Sequence, residues 1–104
     1  MPGIDFEVIR REVTMQQVLD LLNFQPVSRT GDQLRGPCPV HKSASKESRS
    51  FSVNLSENRY FCHKCGTKGH PLELWAAVHD LPIFEAAKDL CRALHRDVPW
   101  LNQN

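Results

Sequence analysis

Two short pairs of metal-ligand residues constrain this chain more than any other feature. Cys38 and His41 form the first pair, Cys62 and Cys65 form the second, and two residues separate the members of each. That gap lets one tight turn aim both side chains at the same ion, and thiolate sulfur and imidazole nitrogen are ligands that Zn²⁺ prefers. Twenty residues separate the pairs, enough for the chain to fold back on itself. The sequence therefore predicts one structural zinc ion held by three cysteines and one histidine.

The residues beside the two pairs suit tight turns. Pro39 restricts φ in the first turn. Gly66 can adopt a positive φ, which lets backbone N–H groups point at the sulfurs of the second pair. Cys62 and Cys65 alone would also suit a thiol redox site, but no βαβ pattern surrounds them. Isolated cysteines in a core are the other alternative, and the paired spacing argues against it.

Length and composition favour one small domain in a reducing compartment. The chain has 104 residues, so its core is modest and a metal ion would help to stabilise it. The sequence contains no apolar run long enough to span a bilayer and no signal-peptide pattern. Its cysteines are spaced for a metal and do not form a disulfide framework. We expect a cytoplasmic protein with no membrane contact, with residues 1–98 as the domain and 99–104 as a C-terminal tail.

Positive charge is concentrated around the predicted metal site. Residues 29–68 contain eight Lys and Arg against three acids, a net charge of +5, whereas the remainder carries five cations and nine acids, a net charge of −4. Clustered positive charge indicates a polyanionic partner. The alternative is that the loops are simply solvated, and that part of the excess balances the net −1 of a zinc ion bound to three thiolates.

Helices are predicted on both sides of the metal-binding segment. The first covers 4–12, and the second starts with a capping box at 14–17. Two more start near Pro71 and Pro82, since proline is favoured at the first position of a helix. Cys91 lies on the apolar stripe of the last helix, which predicts a core residue and not a ligand. The other histidines are predicted at the surface or in hydrogen bonds: His63, His70, His79 and His95.

Short strands are predicted between the helices. Candidates are 24–28, 33–36 and a hairpin of 51–55 with 59–62, which delivers the second ligand pair. Strand alternation places Tyr60 and Phe61 on opposite faces, so one ring packs and the other is displayed, unless the helices cover both. A displayed ring beside a cation would suit base stacking. The predicted fold class is α+β: a small zinc ribbon with an antiparallel sheet, zinc at one end, and short N- and C-terminal helices.

Three motifs carry a resemblance to a known family. They are Gly-Pro-Cys-Pro-Val-His at 36–41, Ser-Phe-Ser-Val at 50–53 and Tyr-Phe-Cys-His-Lys-Cys-Gly-Thr-Lys-Gly at 60–69. The chain resembles, over nearly its whole length, the zinc-binding domain of bacterial DNA primases. The resemblance implies a zinc ribbon that binds single-stranded template DNA and helps to select where a primer starts. It also implies that Cys38, His41, Cys62 and Cys65 bind the zinc ion.

The chain departs from this family pattern in several places. The loop after His41 is longer, Arg49 stands where the family usually has proline, and His63 and Lys64 replace the usual Phe-Gly. The sequence contains neither the polymerase domain nor the segment that docks on helicase. We therefore expect no primer synthesis, and no catalytic activity, from this chain alone.

Together these features predict a zinc-dependent module that binds single-stranded DNA in replication or in a mobile-element process. A separate polymerase, helicase or transposase chain would act beside it. The predicted contacts to nucleic acid are Arg35, Lys42, Lys46, Arg49, Arg59, Lys64 and Lys68 for phosphates and Tyr60 or Phe61 for stacking. The alternatives are a zinc-ribbon adaptor, whose apolar helices dock on such a protein partner, and a thiol redox protein.

Overall fold

The computed structural model describes residues 3–41 and 47–101, which form four helices and a five-stranded sheet. In chain order the elements are α1 (Phe6–Glu12), α2 (Met15–Leu21), β1 (Ser28–Thr30), β2 (Gln33–Gly36), β3 (Phe51–Asn54), β4 (Arg59–Cys62), β5 (Lys68–Gly69), α3 (Pro71–His79) and α4 (Ile83–Ala93). Each strand pairs antiparallel with the next, in the order β1-β2-β3-β4-β5. The predicted α+β class is confirmed.

One face of the sheet forms the core. Alternate residues of β2, β3 and β4 are buried, as strand periodicity requires. The register sets them in two rows across the strands, Leu34-Val53-Tyr60 and Gly36-Phe51-Cys62. The residues between them are half-buried or exposed and form the outer face. The predicted hairpin of β3 and β4 is confirmed.

A close approach at Gly36 joins the sheet to the segment after α2. A Cβ atom at Gly36 would lie 2.7 Å from the Phe24 ring, so no larger residue fits without movement. Phe24 in turn packs edge-on against Phe51, with ring centroids 5.4 Å apart. The prediction of a strand at 24–28 is therefore wrong: Phe24 is a core contact, and β1 starts at Ser28. Thr30 pairs with Gln33 across a two-residue turn, so β1 continues up to that turn.

The capping box before α2 is confirmed, and it also anchors the β3–β4 hairpin. Thr14 Oγ1 accepts a hydrogen bond from the Gln17 N–H at 3.2 Å, and the Gln17 side chain accepts one from the Thr14 N–H at 2.8 Å. The Met15 N–H donates to Asn58 Oδ1 at 2.9 Å. Asn58 belongs to the hairpin turn and has a positive φ of 54°. The hairpin tip is thus hydrogen-bonded to the start of a helix.

The two ends of the described chain lie side by side. The Asp5 N–H donates to the Pro99 carbonyl at 2.7 Å, and the Leu101 N–H donates to the Gly3 carbonyl at 2.8 Å. Ile4 pairs with Trp100 in an isolated bridge, so α1 starts at Phe6 and not at residue 4 as predicted. Residues 99–101 of the predicted tail therefore pair with the N-terminal segment, and 102–104 lie outside the described residues.

The C-terminal helices complete the core. α3 starts at Pro71 as predicted and packs against α4. Cys91 of α4 is fully buried, which confirms its prediction as a core residue. Leu72, Leu74 and Trp75 of α3 are buried, and His79 is exposed, in agreement with its prediction. Within the described ranges, every helix is too short or too polar to cross a membrane.

Candidate metal centre and exposed sheet face

Four side chains converge beyond one end of the central strands. Cys38 and His41 follow β2, Cys62 is the last residue of β4, and Cys65 completes the turn after it. Their ligand atoms all lie within 4.8 Å of one another. The Cys38 and Cys65 sulfurs are 4.0 Å apart, and His41 Nδ1 is 3.6 Å from the Cys62 sulfur. Tetrahedral zinc with Zn–S bonds of about 2.3 Å requires sulfur separations of about 3.8 Å, so the residues fit one zinc ion.

The second ligand turn is fixed by backbone hydrogen bonds. The Cys65 N–H lies 3.4 Å from the Cys62 sulfur, and the Gly66 N–H donates to the Cys62 carbonyl at 2.9 Å. Gly66 has a φ of +78°, as its sequence position predicts. The His63 N–H donates to the Ser50 carbonyl at 2.7 Å, which ties the turn to the start of β3. Backbone N–H groups therefore help to set the shape of this turn.

The protein environment shifts the pKa values of the two buried thiols, Cys38 and Cys62, in opposite directions. Burial raises the pKa of Cys38 to about 12, although the N–H groups of His41 and Val40 oppose this. Burial also raises the pKa of Cys62, but hydrogen bonds from the N–H groups of Cys65 and Lys64 and from the Cys65 and Cys38 thiols outweigh it and bring the pKa to about 6. A buried thiolate at Cys38 thus needs a nearby cation. A zinc ion supplies that charge, because metal binding deprotonates a coordinating thiol outright.

Cys91, His70 and His63 are not members of the group of four ligands. Cys91 is buried in the helical core, where burial raises the pKa of its thiol. His70 Nδ1 lies 2.9 Å from the Asn58 carbonyl, and since a carbonyl only accepts, Nδ1 carries the proton. His63 is exposed, as predicted, and its ring packs edge-on against Phe61 with centroids 4.7 Å apart.

The outer face of the sheet displays one of the two candidate aromatic rings. Phe61 is 37% exposed, whereas Tyr60 is 3% exposed and packs beneath the sheet with its hydroxyl 3.0 Å from Thr67 Oγ1. The prediction that one ring packs while the other is displayed is confirmed. Burial removes Tyr60 as a stacking surface, which leaves Phe61.

Polar and cationic residues surround Phe61. The register sets Arg35, Ser52, Phe61 and Lys68 in one row across β2 to β5. The next row contains Gln33, Asn54 and Arg59. β5 was not predicted, because a two-residue strand gives no periodic signal. Ser52 and Asn54 were not predicted as surface-site residues either, although the alternation in 51–55 already placed both on the face opposite the core.

The predicted phosphate contacts occupy different environments. Arg35 donates two hydrogen bonds to the Arg49 carbonyl, at 3.1 and 2.7 Å, so part of its guanidinium is engaged. Arg59 is exposed beside Glu57, with Nη1 and Oε1 3.9 Å apart. The side chains of Arg49, Lys64 and Lys68 are exposed. Lys42 and Lys46 lie outside the described residues. All of these contacts remain predictions.

Comparison with known proteins gives a consistent family. The model of the CHC2 zinc finger matches residues 5–104. The chain is 27% identical over 106 residues to the DNA primase of Buchnera aphidicola and 30% identical over 91 residues to that of Lactococcus lactis. These matches cover 100% and 86% of this chain but only 18% and 14% of the primases. A crystal structure of the zinc-binding and RNA polymerase domains of Aquifex aeolicus primase matches with a TM-score of 0.71 and 25% identity, over 92% of this chain and 23% of that one.

Proposed function

The chain belongs to the CHC2 zinc finger family, and from this premise we propose that it binds single-stranded DNA through the outer face of its sheet. One observation carries the proposal: in the cross-strand row of Arg35, Ser52, Phe61 and Lys68, the exposed ring lies next to Lys68, and Arg35 is in the same row two strands away. A single strand has unpaired bases that stack on such a ring and phosphates that pair with the cations. A duplex hides its base faces and would use only the cations.

The zinc ion contributes to this function by holding the sheet in place. Cys62 follows Phe61 directly in β4, and Cys38 lies two residues after the end of β2. An ion bound by both cysteines joins the ends of these two strands, which carry the displayed ring and Arg35. In this role the metal is structural, and the contacts to DNA come from the side chains of the sheet.

Three exposed cations extend the binding surface toward the metal site and along the sheet. Arg59 and Lys68 flank Phe61 on the outer face, and Lys64 lies in the second ligand turn. A single strand that crosses Phe61 can reach all three, since its phosphates are flexible. Each phosphate contact lowers the logarithm of the binding constant with a slope of about −0.7 against the logarithm of the salt concentration. Three such contacts predict a total slope near −2.

We further propose that the chain supplies template binding for a catalytic unit located elsewhere. Among the described residues, the Cys₃His group is the cluster of His, Cys, Asp or Glu that could hold a metal ion. The named relatives are DNA primases, and this chain spans less than a fifth of their length. Polymerisation would then come from a polymerase domain, in replication or in a mobile-element process.

Fluorescence anisotropy with labelled single-stranded and duplex oligonucleotides at several salt concentrations tests the proposal. Zinc-loaded protein should bind the single strand more tightly than the duplex, and its affinity should fall as salt rises. No binding at low salt would contradict the proposal. Equal binding of both forms would contradict the role of the displayed ring.

A matched pair of lysine variants locates the contact. Lys68→Ala removes a cation from the outer face, whereas Lys88→Ala removes one from α4, where Lys88 pairs with Glu85 at 3.4 Å. Lys68→Ala should reduce the magnitude of the salt slope by about 0.7, and Lys88→Ala should leave it unchanged. Equal effects of the two variants would indicate attraction by overall charge, without a defined site.

The adaptor alternative has less support. It relied on the apolar helices as a docking face, but the apolar side chains of α4 at Ala86, Ala87, Leu90 and Cys91 are buried in the core. The thiol redox alternative requires accessible, unligated cysteines, and the four grouped ligand atoms suit a metal instead. Zinc content and thiol alkylation of the purified protein would distinguish these alternatives.

A further inference from the structure

A groove on the outer face lies between Phe61 and the start of the β3–β4 hairpin turn. Its volume is about 480 Å³, which is enough for one nucleotide. Its lining includes the side chains of Asn54, Glu57, Arg59 and Phe61. In the register, Phe61 pairs with Ser52 and Arg59 pairs with Asn54. Asn54 is thus a diagonal neighbour of Phe61, a separation of about 7–8 Å that a base stacked on the ring can bridge.

The amide of Asn54 has a defined orientation. Its Oδ1 accepts a hydrogen bond from the Glu57 backbone N–H at 3.1 Å and another from Ser56 Oγ at 2.8 Å. A backbone N–H only donates, so the atom facing it must be the amide oxygen. No hydrogen bond within the described part of the chain uses the Nδ2 amino group. Asn54 therefore presents donors, and no free acceptor, to the groove.

Arg59 places a second donor group beside the first, and its five N–H donors let it contact a base edge as well as a phosphate. It lies directly opposite Asn54 on β4, and its side chain is 65% exposed. Glu57 is 3.9 Å from the guanidinium and equally open to solvent, so this ion pair is weak and can rearrange. The two donors sit on a hairpin whose tip is held at Asn58 by the Met15 N–H and the His70 side chain. The backbone positions from which the two donors project are therefore set before any ligand binds.

We propose that this groove selects a base with two adjacent hydrogen-bond acceptors on one edge, and the inference rests on the proposed binding of single-stranded DNA. Two neighbouring donors match N3 and O2 of cytosine, or N7 and O6 of guanine. Thymine and adenine alternate acceptors with donors, so each leaves one protein donor facing another donor. Asn54 and Arg59 are thus specificity-determining residues, and Phe61 is the surface on which the selected base stacks.

The test compares short oligothymidylates whose central residues are replaced by dC or by dA, in anisotropy titrations with zinc-loaded protein. The oligonucleotide containing dC should bind about fivefold more tightly than the other two, the low end of what a paired base contact contributes. Asn54→Asp retains an oxygen for the Ser56 and Glu57 hydrogen bonds but replaces the amino donor with an acceptor. This variant should bind all three more weakly and lose the preference for dC.

Two further variants separate the effect of added negative charge from the effect of losing a hydrogen-bond donor. Thr30→Asp adds the same charge to the same cross-strand row, on β1 outside the groove; it should weaken binding but keep the preference for dC. Arg59→Met removes the second donor without changing the hydrogen bonds of Asn54 and should also abolish the preference. If the wild-type protein binds all three equally, or if the preference survives both Asn54→Asp and Arg59→Met, the inference is wrong while the proposed function stands. If no oligonucleotide binds, the proposed function itself fails.

Discussion

The metal centre and the outer sheet face differ in how their residues are brought together. At the metal centre, four ligands come from two short turns, each local in sequence, and three of the four are buried or half-buried. On the outer face, Arg35, Ser52, Phe61 and Lys68 come from four strands and meet only through pairing register. The first site depends on the spacing of its residues in the sequence, whereas the second depends on the order and register in which the strands pair.

This difference predicts how the two regions respond to change. The metal centre connects the ends of the central strands, so damage there should unfold the domain and abolish binding together. The outer face lies on a sheet whose stability comes from its other side, so substitutions there should change binding and leave folding almost intact.

Loss of a zinc ligand should have the largest effect. Cys62→Ser, or removal of zinc by a chelator, should abolish cooperative thermal unfolding, since structural zinc contributes about 10–16 kcal/mol of apparent binding free energy in small zinc-finger peptides. Calorimetry together with metal analysis measures this.

Cys91→Ala is the matched control, because Cys91 is buried away from the ligand group. It should retain one zinc ion and cost only about 1–2 kcal/mol of stability, as for loss of a small buried side chain. A zinc-free Cys62→Ser protein that still unfolds cooperatively at the wild-type temperature would contradict the structural role of the metal.

Adjacent aromatic residues give the sharpest contrast between the two faces of the sheet. Tyr60→Ala should cost about 3 kcal/mol or more in unfolding free energy, because its ring is 3% exposed and packs on Phe51 with centroids 5.5 Å apart. Phe61→Ala should cost less than about 1 kcal/mol in stability but reduce affinity for single-stranded DNA by about 1–3 kcal/mol. Denaturant unfolding and anisotropy measure the two quantities; similar losses of stability would show that the faces are not separate.

The sequence predicted those parts of the molecule that depend on local pattern. The four grouped ligands, the capping box of Thr14 and Gln17, the β3–β4 hairpin and the buried Cys91 all have a signature within a few residues. Strand alternation also separated Tyr60 from Phe61, but it could not tell which ring was covered, because that depends on where the helices pack.

The wrong predictions concern residues whose contacts join segments that are distant in the sequence. Phe24 was assigned to a strand because its fit against Gly36 and Phe51 is tertiary. Ile4 was placed in α1 because its pairing with Trp100 spans nearly the whole chain. The donor role of Asn54 depends on the hairpin turn and on the opposite strand, and single-sequence periodicity contains neither.

The smallest expected effects are those of alanine substitutions at two glycines with positive φ, one inside and one outside the metal centre. Gly66 (φ +78°) lies in the second ligand turn and Gly31 (φ +60°) in the β1–β2 turn, and a Cβ at either would meet no atom within 4 Å. Alanine at each should cost about 1–2 kcal/mol of stability, the penalty for an L-residue in the left-handed region. Only Gly66→Ala should also weaken zinc binding, by about tenfold, because it disturbs the backbone around the sulfurs. Competition with a chelator measures this, and equal zinc affinities would contradict the coupling.

Mapping of the bound strand on the protein tests the central claim most directly. Backbone amide chemical shifts of zinc-loaded protein, titrated with a short single-stranded oligonucleotide, should change most for Arg35, Ser52, Phe61 and Lys68 and least for α4. Largest changes on α4 or at the paired chain ends, with the sheet unaffected, would contradict binding through the outer face.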